Sequence, residues 1–268
     1  MISCKTRYNF NGKVTGGQSL RVEFEVCRFV RQIKHLRSGG LILTCGIIMH
    51  SNADSLLSGL EANDLIRDSG PQRRAEYLGG RELALQAQRA LGRAPQPVGR
   101  GADGAPLWPA GITGSISHSG GRCACLLGPD DGRTLGLDIE MPAQGRRLEA
   151  IREIALTATE RSLLTRSPLG PALGATAVFS AKESLFKALY PWVGRFLGFH
   201  TSHLVRAPGR RGLVLELTQD LGQDLPDGRR FAVGLHVSEG GVLSVVRVHA
   251  RPSDRGECQC GEAGHGAP

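Results

Sequence analysis

The sequence predicts an α+β fold, and three observations support that prediction. Helix-like and strand-like segments follow one another in the order helix, strands, helices, strands, which is typical of this class. The strand-like segments are short, alternate in polarity and are separated by Gly- and Pro-containing turns, which favours antiparallel sheets. The chain has 268 residues and is 40% hydrophobic, so it can bury a core as one large domain or two small ones.

Residues 1–50 mix short apolar runs with basic clusters and show no sustained period. Two interpretations are open: an extra strand region, or an N-terminal extension that precedes a natural start at Met49. We favour the extension. Steady patterning begins at about Ser51, and we expect two lobes of similar length over 51–141 and 142–250, although no sequence repeat is evident between them.

The first lobe is predicted to contain one helix and three strands. The helix covers Gln72–Leu91, where small and aliphatic residues recur near helical spacing. A loop rich in Gly and Pro follows over 92–110. The strands are Ile112–Ser117, Arg122–Leu127 and Thr134–Glu140.

The second lobe is predicted to contain three helices followed by an antiparallel sheet of four strands. The helices cover about Leu148–Leu156, Ala158–Thr165 and Ala172–Leu189. The strands cover about Thr201–Arg206, Leu213–Thr218, Phe231–Val237 and Val242–Val248. The polar, Gly-rich segment 251–268 is predicted to be a disordered tail.

The sequence predicts a cytoplasmic protein without membrane contact. Its N-terminal residues lack the basic start, long apolar stretch and cleavage site of a secretory signal, and the apolar run Leu41–Met49 is too short to cross a bilayer. Seven cysteines form no Cys-x-x-Cys pair, which fits free thiols in a reducing compartment.

The formal net charge of +8 favours anionic partners: phosphorylated cofactors, an acidic protein surface or nucleic acid. Arginine outnumbers lysine, a bias that a high-GC genome also produces, so charge alone selects no partner. A nucleic-acid surface would need aromatic residues interleaved with basic ones on a strand face, and the sequence has no such pattern.

The strand Thr134–Glu140, TLGLDIE, carries the most informative pattern. Side chains alternate along a strand, so the aliphatic residues point to one face while Asp138 and Glu140 share the other. Two neighbouring carboxylates repel each other unless they are exposed, protonated or bridged by a cation, and Mg²⁺ is a natural bridge. Asp-x-Glu also occurs in many surface strands, so the pattern alone does not establish a metal site.

A further carboxylate lies in FSAKESLFKAL, Phe179–Leu189. Glu183 and Lys187 are four residues apart and share a helical face, whereas Lys182 points elsewhere. An ordinary helical ion pair has the same spacing, so this pair gains meaning only in combination with other segments.

The segment GSISHSGG, Gly114–Gly121, runs from a strand into a glycine turn. A protonated His118, the Ser117 hydroxyl and free backbone N–H groups could hold a phosphate; a turn histidine and a serine nucleophile are the alternatives. The serine lacks the Gly-x-Ser-x-Gly elbow, and the sequence contains neither a Walker A loop nor a helix-opening Gly-x-Gly-x-x-Gly.

In their order and spacing, these segments resemble the 4′-phosphopantetheinyl transferases of the large two-lobed type, particularly the enterobactin synthase component D branch. The similar blocks are RRAEYLGGR (Arg73–Arg81), PLWPAGITGSISHS (Pro106–Ser119), GLDIE (Gly136–Glu140) and FSAKESLFKALYP (Phe179–Pro191). The resemblance implies a pseudo-dimer of two similar α+β lobes, each a small antiparallel sheet packed with helices, with the active site in the cleft between them.

The resemblance also implies residue roles. Asp138, Glu140 and Glu183 match the magnesium ligands, and Glu183 and Lys187 are the expected catalytic residues. The residues that match coenzyme A contacts are Arg73, Arg81, Ser117, His118, Lys182 and Lys187. Within that set, Ser117 and His118 are expected at the 3′-phosphate of coenzyme A.

Two features depart from the branch. The loop before Pro106 often carries a lysine there, whereas Asp103 and Gly104 occupy this loop here, and Arg100 is expected to supply the charge instead. The usual N-terminal strand segment is not recognisable in residues 1–50.

The implied reaction is attack by a carrier-protein serine on the β-phosphorus of coenzyme A, with release of 3′,5′-ADP. Mg²⁺ is the implied cofactor, and the base is left open between Glu183 and a water molecule on the ion. The implied partner is an acidic apo acyl or peptidyl carrier protein, and a monomer is expected. A regulatory protein that binds coenzyme A without catalysis is the competing hypothesis, and a nucleic-acid-binding protein is a distant third.

Overall fold

Two five-stranded antiparallel sheets with helices packed on them, and one small two-stranded sheet, make up the described part of the chain. The computed structural model describes residues 22–25, 30–38, 41–48, 69–209, 211–222, 224–238 and 241–249. The helices are α1 (Pro71–Ala90), α2 (Gly145–Ile154), α3 (Ala158–Leu164) and α4 (Pro171–Val193), with a 3₁₀ turn at Phe199–Thr201. The strands are β1 (Val22–Glu25), β2 (Val30–Ser38), β3 (Leu41–Ile48), β4 (Gly99–Arg100), β5 (Pro106–Leu107), β6 (Ile112–Ser119), β7 (Arg122–Pro129), β8 (Arg133–Glu140), β9 (Ser202–Gly209), β10 (Gly212–Leu217), β11 (Arg230–Ser238) and β12 (Gly241–His249).

The first sheet has the strand order β1-β2-β3-β7-β6, and α1 packs on it through the buried Leu78, Leu83 and Ala87. The helix contains Gly80 because a Cβ atom there would lie 2.7 Å from Cγ2 of Ile116 in β6. The glycine therefore lets the helix approach the strand closely, which brings the first turns of α1 beside the end of β6.

The strands β1 to β3 belong to this sheet, so the structure has the strand region that was one of our two interpretations of residues 1–50. The strand β3 pairs with β7 in the register Leu43↔Leu126 and Thr44↔Cys125, and Ile42 and Thr44 are buried. The extension that we favoured does not describe β3, because this strand completes the core under α1. The predicted tail 251–268 lies outside the described residues.

The second sheet has the order β8-β12-β11-β10-β9, with α4 packed across β8 and β12. Our sequence division placed Thr134–Glu140 in the first lobe, whereas this strand pairs with β12 along its whole length. The end pairs of that ladder are Arg133 with His249 and Glu140 with Val242. The change from the first sheet to the second therefore falls between β7 and β8.

The strands β6 and β8 are the facing edges of the two sheets, and serine side chains connect them. The Ser115 hydroxyl accepts a hydrogen bond from the Leu137 amide at 3.0 Å, and Ser117 and Ser119 reach the side chains of Asp138 and Glu140. Every second residue of GSISHS thus points from one sheet towards the other, which follows from the two-residue period of a strand.

The predicted division of the β8 side chains is confirmed. The aliphatic residues Leu135, Leu137 and Ile139 form a buried cluster with Ala124 and Leu126 of β7, on the side away from the carboxylates. The α+β class is confirmed, and two antiparallel sheets that each carry a long helix fit the expected two-lobed architecture. Within the described residues, no helix is long and apolar enough to cross a membrane.

Candidate active site

Asp138 lies at the junction of the two sheets and is almost fully buried, with 4% of its surface exposed. Its Oδ1 atom accepts hydrogen bonds from the Ser117 hydroxyl at 2.8 Å and from the Lys187 ammonium group at 2.7 Å. Its Oδ2 atom is buried and has no hydrogen-bond partner among the described residues. A buried carboxylate oxygen without a donor is costly, so this atom is suited to bind a cation.

Glu140 lies two residues further along β8, on the same face as Asp138. Its Oε2 atom accepts a hydrogen bond from the Ser119 hydroxyl at 2.8 Å and also contacts the guanidinium group of Arg147 at the start of α2. Burial raises the pKa of Glu140, and the nearby charge of Asp138 raises it further.

Glu183 and Lys187 approach β8 from α4, which lies close to the strand at Gly136. Burial raises the pKa of Glu183; the Lys187 charge opposes this shift, while the charges of Asp138 and Glu140 add to it. The structure therefore brings the carboxyl group of Glu183 within electrostatic range of both strand carboxylates.

The chemistry of these groups fits a hard divalent cation. Three carboxyl groups lie within electrostatic range of one another, two of them have a raised pKa, and Asp138 retains a buried oxygen without a partner among the described residues. In the described part of the chain, however, no three His, Cys, Asp or Glu side chains are arranged so that they could hold a metal ion as they lie. The Lys187 ammonium group, 2.7 Å from Oδ1 of Asp138, occupies one side of that carboxylate.

A basic cleft lies on the other side of β6, between α1 and the loop that contains β4 and β5. Its cavity measures about 150 Å³ and is lined by Arg73, Glu76, Tyr77, Arg81, Arg100 and His118, among others. The Nε atom of Arg100 is buried and has no hydrogen-bond partner among the described residues. Arg100 therefore offers an unused donor to an anion, in line with the charge that we expected from this residue.

His118 lies at the inner end of this cleft, and its Nδ1 atom is 3.1 Å from Oε2 of Glu76 in α1. Burial lowers the pKa of His118; the Glu76 charge opposes that shift, and the positive charges of Lys187 and Arg73 add to it. The imidazole is therefore mainly neutral at neutral pH, whereas the phosphate contact that we expected requires the protonated form.

Arg81 lines the same cleft, but its guanidinium group is largely engaged by the protein. Its Nε and Nη2 atoms donate hydrogen bonds to the carbonyl groups of Val98 at 2.9 Å and Gly99 at 3.1 Å, and the group lies 4.3 Å from the ring centre of Tyr77. Burial lowers the pKa of Arg81. The residue thus holds the strand that carries Arg100 in place and contributes positive charge to the cleft.

Two of the residues expected to contact coenzyme A have polar partners within the protein. Lys182 is buried and bonds to the Ala155 carbonyl group at 2.8 Å and to the carboxylate of Glu160, so its ammonium group is not available to a ligand. The Ser117 hydroxyl bonds to Asp138 and Lys187 and faces away from the basic cleft that His118 lines. The alternation of side chains along β6 places Ser117 and His118 on opposite faces of the strand.

A larger, mainly apolar cavity of about 340 Å³ adjoins the basic cleft. Its lining includes Trp108, Leu135, Phe186, Lys187 and Tyr190, and it shares Gly104, Pro106 and Ile116 with the basic cleft. At its rim, the Tyr190 hydroxyl group donates a hydrogen bond to Oδ2 of Asp103 at 2.8 Å. The loop 101–105 is thereby connected to the C-terminal end of α4 across the two lobes.

Comparison with known proteins shows the family of this chain. A model described as the 4′-phosphopantetheinyl transferase N-terminal domain matches residues 61–128, and one described as the 4′-phosphopantetheinyl transferase superfamily matches residues 134–233. The Mycobacterium tuberculosis 4′-phosphopantetheinyl transferase PptT is 32% identical over 157 residues, which cover 58% of this chain and 68% of that protein. The chain belongs to the 4′-phosphopantetheinyl transferase superfamily.

Other members of the superfamily are similar over shorter stretches. The 4′-phosphopantetheinyl transferase Npt of Nocardia iowensis is 34% identical over 141 residues, covering 52% of this chain and 62% of Npt. Enterobactin synthase component D of Salmonella typhimurium is 36% identical over 129 residues, covering 48% of this chain and 53% of that protein. The chain thus matches less than two thirds of the length of both relatives.

Both halves of the site lie within the regions that match the transferase models. The basic cleft falls in the N-terminal match and the carboxylate cluster in the superfamily match. Sequence reasoning assigned no role to Glu76, Ser119 or Arg147, which bind His118 and Glu140. Ser119 had a local signal, because it continues the alternation of Ser115 and Ser117; the partners of Glu76 and Arg147 depend on contacts between separate elements.

Proposed function

We propose that this protein transfers the 4′-phosphopantetheine group of coenzyme A to a serine of an apo acyl or peptidyl carrier protein and releases 3′,5′-ADP. One observation carries the proposal. Consecutive residues of β6 face two different groups, since Ser117 contacts the carboxylate cluster and His118 lines the basic cleft. A nucleotide such as coenzyme A carries a phosphate monoester, which a basic cleft can bind, and a pyrophosphate, which needs a cation held by carboxylates. Its binding site therefore needs the cleft and the carboxylate cluster next to each other.

The basic cleft is the proposed site for the phosphate on the ribose of coenzyme A. Arg73 and Arg100 line it together with His118, and Arg81 adds a buried positive charge. Arginine binds phosphate oxygens through charge-assisted hydrogen bonds, and the unused Nε–H of Arg100 is available for one. This arrangement would orient the nucleotide with its pyrophosphate towards Lys187 and the carboxylates.

Asp138, Glu140 and Glu183 are the residues that would hold Mg²⁺. When bound, the ion neutralises charge on the pyrophosphate of coenzyme A. The serine hydroxyl groups of β6 orient two of these carboxylates by hydrogen bonds: Ser117 binds Asp138, and Ser119 binds Glu140. Lys187 contributes a second positive charge, because its ammonium group already lies on the Asp138 carboxylate at the edge of the apolar cavity.

The proposed chemistry is an in-line displacement at phosphorus. The oxygen of the carrier serine forms a bond to the β-phosphorus, the bond to the bridging oxygen breaks, and 3′,5′-ADP leaves with that electron pair. The serine proton must pass to a base. Glu183 is the proposed base, since its carboxylate accepts no hydrogen bond from the described residues, whereas Glu140 is engaged by Ser119 and Arg147.

The proposed partner is an acidic carrier protein, because the chain has a formal net charge of +8. Opposite charges steer association, and salt screens this steering. Binding of an apo carrier should therefore weaken markedly as salt is added, and an affinity indifferent to ionic strength would reject this part of the proposal. The cytoplasm and a monomeric state remain predictions from the sequence.

The deciding experiment is incubation of the protein with coenzyme A, Mg²⁺ and an apo carrier, followed by mass spectrometry of the carrier. We expect a gain of one phosphopantetheine, and no gain with several different carriers would favour a regulatory protein that only binds coenzyme A. Asp138→Asn and Glu183→Gln should abolish the gain. Glu149→Gln, on the exposed side of α2, changes the charge equally and should have no effect.

A further inference from the structure

The proposed chemistry gives no role to Glu76, the partner of His118. Glu76 lies in the second turn of α1 and is buried, with 9% of its surface exposed, which is uncommon for a glutamate. Its Oε2 atom is 3.1 Å from Nδ1 of His118, and its Oε1 atom accepts a hydrogen bond from Nε2 of Gln72 at 3.1 Å. Both carboxylate oxygens are thus held, and the carboxylate is fixed in direction.

We propose that Glu76 is a positioning residue that selects ligands with a phosphate monoester: it holds the Nδ1–H of His118, so that Nε2 faces the basic cleft and can bind that phosphate. This inference rests on the proposed function, since it assigns the 3′-phosphate of coenzyme A to the cleft. An imidazole whose Nδ1 donates to a carboxylate has its Nε2 on the opposite side of the ring, and His118 lines the cleft together with Arg73 and Arg100.

The neutral imidazole with a proton on Nδ1 has only a lone pair on Nε2, so it cannot donate to a phosphate dianion. Binding of the phosphate must therefore add a proton to Nε2, and the imidazolium ion then donates to Glu76 through Nδ1 and to the phosphate through Nε2. Glu76 makes this protonation easier, because its negative charge faces the ring.

The other charged groups around His118 act in both directions. Burial lowers its pKa, the positive charges of Lys187 from α4 and Arg73 from α1 lower it further, and the negative charges of Glu76 from α1 and Asp138 from β8 raise it. Removal of the Glu76 charge should therefore lower the pKa of His118 further, because less negative charge remains to offset Lys187 and Arg73. As the pH rises, the affinity for coenzyme A should then fall at a lower pH than in the wild type.

The test compares coenzyme A with 3′-dephospho-coenzyme A, which lacks the phosphate monoester, by calorimetry over a series of pH values from acidic to mildly alkaline. In Glu76→Gln, we expect the preference for coenzyme A at neutral pH to fall about tenfold, as for the loss of one charge-assisted hydrogen bond, and to recover at acidic pH. Binding of the dephospho ligand should be unchanged. Glu82→Gln is the matched control, because Glu82 lies in the same helix, accepts a hydrogen bond from the Gln86 amide at 2.7 Å, and does not line the cleft.

A measurement on the unaltered protein covers the case in which Glu76→Gln does not fold. Nitrogen-detected NMR of His118 should show a proton on Nδ1 before coenzyme A is added and protons on both nitrogens afterwards. A proton on Nε2 alone in the free protein, or a Glu76→Gln variant with wild-type ligand preference at every pH, would overturn the inference. Those results leave the proposed transfer intact, whereas a wild-type protein that binds neither ligand would contradict the proposed function itself.

Discussion

Gly136 of β8 lies directly against the carbonyl group of Ser184 in α4: a Cβ atom at Gly136 would overlap the Ser184 oxygen. Side chains of any kind are excluded there, so the glycine sets the distance between the strand that carries Asp138 and the helix that carries Glu183. A hydrogen bond between the hydroxyl groups of Ser180 and Ser244, 2.8 Å apart, fixes the same helix to β12. The position of α4 is therefore determined by backbone contact and not only by apolar packing.

Gly136→Ala should separate α4 from β8 and lower both stability and activity. Forcing a methyl group into a backbone contact costs about 1–3 kcal/mol, and a displacement of the helix would misplace Glu183 and Lys187 relative to Asp138. Urea unfolding and the carrier assay measure the two effects. Gly198→Ala is the control, because a Cβ atom at Gly198 meets nothing within 4 Å and its φ of −70° suits alanine. Wild-type activity in Gly136→Ala would show that the contact does not position the site.

Lys182 and Lys187 lie in one helix, and their substitution should have different consequences. Lys182→Met leaves Glu160 buried without its cation, which should lower the free energy of unfolding by about 3–5 kcal/mol. Lys187→Met should lower stability less, since this lysine is partly exposed, but it should lower kcat by about 10²-fold or more through loss of positive charge at the reacting group. Denaturant unfolding and the initial rate of carrier modification separate the two outcomes.

The opposite result for the two lysines would contradict this prediction. A Lys182→Met protein with wild-type stability and a large loss of kcat would show that Lys182 takes part in the reaction. It would also show that the ion pair with Glu160 is not what holds α3 to α4.

Local periodicity was sufficient to predict the part of the site that lies within single elements. The two-residue period of β8 places Asp138 and Glu140 on one face, and the helical period of α4 places Glu183 and Lys187 together. The same periods determined the order of helices and strands after residue 70, so the α+β class could be predicted from the sequence.

Contacts between distant segments could not be predicted in this way. Glu160 binds Lys182 from 22 positions away, and it also accepts a hydrogen bond from the Leu204 amide at 2.8 Å, so its role depends on how α3 packs beside β9. The pairing of β8 with β12 depends likewise on the return of the chain after three helices and three further strands. No local pattern specifies such partners, because they are selected by packing of the whole core.

The effect of Mg²⁺ on stability should depend on pH. Burial raises the pKa values of Glu140 and Glu183, so without metal their contribution to stability is present below the ordinary glutamic acid pKa and is lost as the pH rises through the raised values. The ion binds the deprotonated groups and stabilises the folded state that binds it. Mg²⁺ should therefore raise the Tm more at mildly alkaline pH than at acidic pH.

Differential scanning fluorimetry with and without Mg²⁺ measures this effect. Asp138→Asn should remove the Mg²⁺-dependent rise in Tm, and the exposed control Glu149→Gln should retain it. An equal rise at both pH values would mean that the ion binds elsewhere than at the two carboxylates with raised pKa.

The hydrogen bond between Tyr190 and Asp103 should restrain the loop that separates the basic cleft from the apolar cavity. Asp103 also accepts a hydrogen bond from the Ala105 amide at 3.0 Å, so its carboxylate fixes the loop at two points. These bonds lower the pKa of Asp103, and the bond to Asp103 raises the pKa of Tyr190.

Removing the Tyr190 hydroxyl should therefore loosen the loop without unfolding it. In Tyr190→Phe, the amides of residues 101–105 should exchange hydrogen faster than in the wild type, and the KM for coenzyme A should rise while kcat changes less. Asp103→Asn should in addition return the ultraviolet titration of Tyr190 towards that of an ordinary tyrosine, because the carboxylate that raises its pKa is lost. Unchanged exchange in Tyr190→Phe would show that the loop is held by Ala105 and its own turn, without help from α4.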